Sequence, residues 1–275
     1  MKERGLQVER ITSSRNSRVK EWAALKQKKF RDQTGRFLIE GIRLVEDAVE
    51  SGAPLETVLI LEELLPTGRV DRILNGSLSL GAELIQVNQA VIEHVADTRT
   101  PQGVIAIGQQ YQHDWQGLLA ARQNPLYLVA DAVQDPGNLG TMIRSADAVG
   151  ATAVFVGTGS VDLYNPKVVR ATMGSLFHLP IVEVSLPELL PILREHQVTV
   201  IGTSTDVETD LYSQDLAGGI AVVIGSEAHG ISEEIRQAID RWLSIPMPGK
   251  ADSLNAAISS SVILYEALRQ RRVKE

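Results

Sequence analysis

At 275 residues the chain is long for a single core and suits two medium units, and 44% hydrophobic against 22% charged residues is an ordinary globular composition. The absence of cysteine excludes a disulfide framework, cysteine zinc sites, iron–sulfur ligation and thiol nucleophiles. A net charge of −7 argues against a general polyanion binder, and only 4% aromatic residues argues against a surface built from base-stacking rings.

The charge is unevenly distributed. Residues 1–43 hold 12 Lys and Arg, from Lys2 and Arg4 to Arg43, against five acids, which leaves 15 basic and 29 acidic side chains for the rest. Lys26, Lys28, Lys29 and Arg31 form its densest part and are expected to meet phosphates; a solvated helix face is the alternative. No apolar run reaches the roughly 18 residues of a bilayer span, and the first residues lack a signal-peptide core, so a cytoplasmic protein is expected.

Next come a strand at 36–41, a helix from Ile42 to Gly52, strands at 55–61, 82–87 and 103–108, and short helices at 69–74 and up to Val95. These make a small layered α/β domain over 1–110, and the polar stretch 111–124 reads as a linker. From 125 to 275 the alternation is cleaner. Apolar runs at 126–133, 153–157, 198–204, 220–227 and 241–247 are separated by helical patterns at 138–149, 165–176, 187–196 and 232–240, and a last helix runs from about 253 to 272. Near-continuous apolar strands between helices predict a parallel sheet covered on both faces, with ligands bound beyond the strands' carboxyl ends. The loops to watch are 131–138, 203–210, 225–232 and 247–253.

Common nucleotide loops do not fit. In GSEAHGIS (225–232) Ile231 stands where a phosphate loop needs Lys, and neither DPGNLG (135–140) nor GTGSVDL (157–163) completes a dinucleotide fingerprint. The histidines show no metal-ligand spacing, and no G-x-S-x-G elbow is present.

Three segments look built for a site. In DPGNLGTMIRSADAVG (135–150), Asn138 is the expected helix cap and Leu139, Met142, Ile143, Ala146 and Val149 the buried face, so Arg144 points elsewhere; pairing with Asp147 is its structural alternative. VVIGSEAHGIS ends a strand in a glycine turn bearing Glu227. IPMPGKADSLNAAISSS (245–261) leads through a Pro/Gly loop to Ser253, the expected cap of a helix rich in small residues.

In order and spacing, these segments resemble the three motifs of the SpoU (TrmH-like) RNA ribose methyltransferases of the SPOUT superfamily: Asn138 to Arg144, Gly225 to Gly230, and Ile245 to Asn255. The resemblance covers essentially 126–272, and the first half resembles the ribosomal-protein-type α/β substrate-binding domain often attached to that family. It implies a parallel-sheet carboxyl-terminal domain threaded into a deep trefoil knot, a rare exception to unknotted topology. It further implies S-adenosylmethionine as cofactor, near Thr203, Gly225, Ile245, Met247 and Leu254, and methyl transfer to a ribose 2′-hydroxyl by a site of Arg144, Asn138, Glu227, Ser253 and Asn255. Ribosomal RNA is the expected substrate, with transfer RNA, or a non-catalytic RNA-binding role, as alternatives. A homodimer is expected through the last helix, with Met142 and Ile143 of the first-motif helix contributing. Many relatives continue S-L-N-V-S, whereas this chain has Ala256 and Ala257 after Asn255, so any role of that second hydroxyl is absent or moved.

Overall fold

In a computed structural model the described residues are 9–120 and 123–274, so Lys2 and Arg4 of the basic start lie outside them. The chain divides into two compact units, Met1–Tyr111 with Tyr164–Arg170, and Gln112–Leu163 with Ala171–Glu275.

The first unit runs β1 (Glu9–Ile11), α1 (Ser17–Ala24), α2 (Lys28–Thr34), β2 (Arg36–Glu40), α3 (Ile42–Glu50), β3 (Leu55–Leu61), α4 (Asp71–Ser79), β4 (Glu83–Val87), α5 (Gln89–Val95) and β5 (Val104–Gln109). Its mixed sheet has the order β1-β4-β3-β5-β2, parallel among β1, β4 and β3 and antiparallel where β5 meets β3 and β2. Alternate strand residues such as Leu38, Leu59, Ile85 and Ile105 form one core with Val19, Trp22 and Leu25 of the basic stretch and with Val91 and Ile92 of α5.

The basic stretch is therefore part of the unit's fold, and this corrects the phosphate-contact expectation for Arg31. Its side chain is only 2% exposed, and Nη1 donates to the carbonyls of Leu25 (2.7 Å) and Lys26 (2.9 Å), tying α1 to α2. Lys26 Nζ donates to the carbonyls of His94 (2.8 Å) and Ala96 (3.3 Å), satisfying acceptors at the end of α5. Lys28 pairs with Asp32 at 2.8 Å on the surface, and Lys29 is exposed.

The rest of the chain runs α6 (Trp115–Ala120), β6 (Leu126–Ala130), α7 (Pro136–Ala148), β7 (Ala153–Gly157), α8 (Pro166–Ala171), β8 (Ile181–Val184), α9 (Leu186–Glu195), β9 (Thr199–Thr203), β10 (Ile220–Ile224), α10 (Glu233–Arg236), β11 (Arg241–Leu243) and α11 (Ala256–Lys274). The second unit's six strands are parallel throughout, in the order β11-β9-β10-β6-β7-β8. Tyr127, Val129, Phe155 and Val223 face α9 and α10 in one core, which Leu119 of α6 joins from the stretch read as a linker. Because strand side chains alternate, Leu128 and Ala130 face the other way, where α7 and α11 pack.

Three helices are shorter than their patterns. The 165–176 pattern breaks after α8, where Met173 and Gly174 have φ of 50° and 94°, outside the helical range. The 232–240 pattern forms a helix only over α10, and the last helix begins at Ala256, not near Ser253. Buried small residues let α7 and α11 approach closely: Ala257 is 3% exposed, Ser260 is fully buried, and the hydroxyls of Ser145 and Ser261 meet at 2.7 Å. Met142 and Ile143 are fully buried within this chain. They are not available as dimer contacts, which corrects that part of the sequence reading.

Candidate active site

The site is built from the turns that follow β6, β10 and β11. Asp135 caps α7, its Oδ1 accepting the Asn138 amide at 2.8 Å, with Pro136 opening the first turn. Asn138 is thus inside the helix, not its cap as the sequence suggested, and its side chain is available for other bonds. The third motif changes in the opposite sense. Asn255 Oδ1 accepts the amides of Ala257 (2.9 Å) and Ile258 (3.3 Å), so Asn255 caps α11 in place of Ser253.

The amide ends of these two asparagines converge on the second motif. Asn138 Nδ2 donates to Glu227 Oε1. Asn255 Nδ2 donates to the same oxygen at 3.0 Å and to Asn138 Oδ1 at 3.0 Å. One carboxylate oxygen therefore takes two N–H donors, and the three motifs close into a triangle of hydrogen bonds. Such a triangle fixes the carboxylate's position while leaving Oε2 without a partner among the described residues.

Glu227 rides on a tight loop. Ser226 and Gly230 exchange backbone bonds of 3.0 and 2.8 Å, and Asp131, 3% exposed, accepts the Ser232 amide at 2.6 Å to hold the loop's far end. Gly225 is required by this folding back. A Cβ there would lie 2.1–2.3 Å from backbone atoms of Gly230 and Ile231. Its role is therefore loop closure, a tighter constraint than the cofactor approach inferred from sequence.

Beside the triangle, a cleft of about 590 Å³ opens at the carboxyl ends of β9, β10 and β11. Thr203, Gly225, Ile245, Met247 and Leu254 all line it, as do Glu227, Ser253 and Asn255. Ile224, Ile231, Leu243 and Ile263 add apolar lining that the motif reading missed, and Asp206, His229 and Arg236 add charged or polar groups. Asp206 and His229 sit in loops that the strand-end rule had marked. Arg236 carried no sequence signal; its guanidinium lies over the Trp242 ring, 5.3 Å from the centroid. Thr203 Oγ1 donates to the Val223 carbonyl at 3.1 Å, bracing β9 against β10.

Arg144 is apart from this cleft. It is exposed on α7, six residues and so roughly 9 Å along the axis from Asn138. Its side chain has no hydrogen-bond or ion-pair partner among the described residues. Asp147 does not pair with it; that carboxylate meets His178 Nδ1 at 3.3 Å. An exposed guanidinium held by no internal partner is available to an external group.

The family model for the SpoU rRNA methylase family matches residues 125–265, the part that carries all three motifs. The chain belongs to the SpoU rRNA methylase family. A second model, the MRM3-like substrate binding domain, matches residues 16–106 of this SpoU chain. It is 34% identical to the 23S rRNA (guanosine(2553)-2′-O)-methyltransferase RlmP of Bacillus subtilis, over 94% of this chain and 98% of that one. It is 36% identical to the 23S rRNA (uridine(2479)-2′-O)-methyltransferase of Streptomyces viridochromogenes, over 98% and 95%. Among solved structures, the AdoMet-bound rRNA methyltransferase from Sinorhizobium meliloti superposes with a TM-score of 0.85 at 33% identity, over 96% of this chain and 98% of that one. The AdoMet complex of AviRb from Streptomyces viridochromogenes gives 0.86 at 33%, over 94% and 99%.

Proposed function

We propose that this SpoU-family chain is an S-adenosylmethionine-dependent methyltransferase that modifies a ribose 2′-hydroxyl of ribosomal RNA. The observation that carries the reading is the Asn138–Glu227–Asn255 triangle beside an apolar-floored cleft at the strand ends. The cleft fits the cofactor by volume and chemistry. About 590 Å³ is within the range of small-molecule sites, and Ile245, Met247 and Leu254 offer an apolar slot for a purine ring. Thr203 and Gly225 contribute the strand-end backbone. When bound, the cofactor supplies an electrophilic methyl group.

The chain's own residues do the rest. A ribose hydroxyl is a weak nucleophile and must lose its proton as it attacks. Arg144 acts as a phosphate and ribose clamp, through its planar fork of N–H donors. The triangle orients Glu227 at the cleft and presents carboxylate and amide groups to the hydroxyl, and Ser253 completes the polar wall. Intact Asn138, Arg144, Glu227 and Asn255 favour catalysis over a purely RNA-binding role. Residues 1–110 act as the RNA-binding part and 125–275 as the methyltransferase part, whose trefoil knot forms the cofactor pocket. Work on ribosomal RNA fits a cytoplasmic enzyme, and no described helix is long and apolar enough to cross a membrane. The direct test is methyl transfer from labelled S-adenosylmethionine to unmodified 23S rRNA, with the product mapped by ribose-methylation sequencing. Label at one ribose is the expected result; cofactor binding in calorimetry without any transfer would favour the non-catalytic alternative.

The same reading includes a homodimer through α11. Ile258 and Tyr265 are 52% and 53% exposed, and with half-buried Val262 they follow the i, i+4, i+7 spacing of one face. A second copy would cover this stripe and bring its Arg144 towards the cleft, giving the separate guanidinium a place in the reaction. Stable association needs about 1,000 Å² or more of buried surface. Light scattering at micromolar concentration should give about twice the 30.0 kDa of one chain. A fully active monomer would remove the shared site.

A further inference from the structure

The corrected basic stretch raises the question of where the first unit meets RNA. Many of its cations are already engaged: Arg10 with Glu62 at 2.7 Å, Arg18 with Glu83 and with Glu9, Arg36 with Glu56 at 3.0 Å, and Arg31 and Lys26 with backbone carbonyls. Arg43, Arg69 and Arg72 are different. All three are exposed, and none of their side chains has a hydrogen-bond or ion-pair partner among the described residues. They line one cleft of about 590 Å³ between α3 and the start of α4, together with Glu46, Asp47 and Glu50.

Three guanidiniums and three carboxylates share a concavity, yet no pair approaches within 4 Å, whereas Arg10, Arg18 and Arg36 of the same unit have closed theirs. Both sets of groups are left open to a ligand that presents anions and N–H or O–H donors together. A nucleotide does so. Its phosphate suits the guanidinium forks, and its 2′-hydroxyl and base N–H groups suit carboxylate acceptors. A featureless polyanion would gain less, because the carboxylates oppose it.

We propose that this cleft receives one nucleotide of single-stranded RNA, with its phosphate on Arg43, Arg69 and Arg72 and its donor groups on Glu46, Asp47 and Glu50. The inference rests on the rRNA-methyltransferase reading and assigns the first unit's recognition to a site distinct from residues 26–31. The carboxylates make it selective: DNA lacks the 2′-hydroxyl, and duplex pairing occupies the base donors.

The test is fluorescence anisotropy of the full chain with a labelled, unmodified 23S rRNA transcript, at 0.05 to 0.3 M salt. The triple variant Arg43→Gln/Arg69→Gln/Arg72→Gln should bind at least tenfold more weakly at 0.15 M, and its log–log salt slope should be shallower by roughly 0.7, the value for one lost single-strand phosphate contact. The corresponding triple Lys variant should keep most of the slope. Glu46→Gln/Asp47→Asn/Glu50→Gln should narrow the preference for RNA over single-stranded DNA of the same sequence. Far-ultraviolet circular dichroism and thermal melting of the full chain, read in parallel, report that the Gln variant is folded; if it is not, the pair Arg69→Gln/Arg72→Gln reads the same slope at smaller amplitude. A wild-type slope and affinity in a folded Gln variant overturn the proposal. Failure of the wild-type chain to bind the transcript at all overturns the rRNA reading instead.

Discussion

Arg144→Ala is expected to lower kcat for methyl transfer by on the order of 10²–10³-fold, the scale seen when one positioned charge-stabilising donor is removed from an active site. Stability should change by no more than about 0.5 kcal/mol, because the side chain is exposed and has no partner among the described residues. S-adenosylmethionine affinity should stay near wild type, since Arg144 does not line the cleft. Lys should rescue little: it keeps the charge but loses the planar fork. If the site is shared across a dimer, mixing Arg144→Ala with an inactive cleft variant should restore part of the activity, as some mixed dimers carry one intact site. Wild-type turnover in Arg144→Ala would mean that this arginine is an ordinary surface residue.

Gly225→Ala should have the larger structural effect. Most substitutions to alanine add a methyl group to open space or to side chains that can move, but here the neighbours are backbone atoms of Gly230 and Ile231 at 2.1–2.3 Å. The loop must open, breaking the Ser226–Gly230 bonds and shifting Glu227 away from Asn138 and Asn255. Overpacking of this kind costs about 1–3 kcal/mol, and the disrupted site should show S-adenosylmethionine affinity reduced at least 100-fold. Thermal melting and calorimetry on the same sample separate the two effects. Unchanged cofactor affinity would show that the loop's closed form is unnecessary for binding.

Much of the second unit was legible because a parallel sheet writes itself as continuous apolar runs: LYLVA, AVFVG and IAVVI are fully buried strands. The sixth strand, IVEV over Ile181–Val184, is four residues long and interrupted by Glu183, so it falls below that signal. Helix caps were less legible. Asn138 and Ser253 both look like caps in one dimension, and only the fold shows that Asp135 and Asn255 take those positions. The motifs located the cleft because Thr203 ends β9 and Gly225 and Ile245 follow β10 and β11, and strand ends are readable. Charge was the poorest guide. Counting cations cannot distinguish Arg31, whose donors are satisfied by main-chain carbonyls, from Arg69, whose donors are not.

The triangle also has a temporal meaning. Its bonds join residues 89, 117 and 28 positions apart in the chain. Contacts of such separation must overcome the entropy of closing long loops, and they tend to form late on a folding route. The strand pairings of the sheet span up to 94 residues themselves, but the bonds to Asn255 also need α11, the last helix of the chain, to be docked on α7. Substitutions in the triangle should accordingly accelerate unfolding and leave the refolding rate almost unchanged.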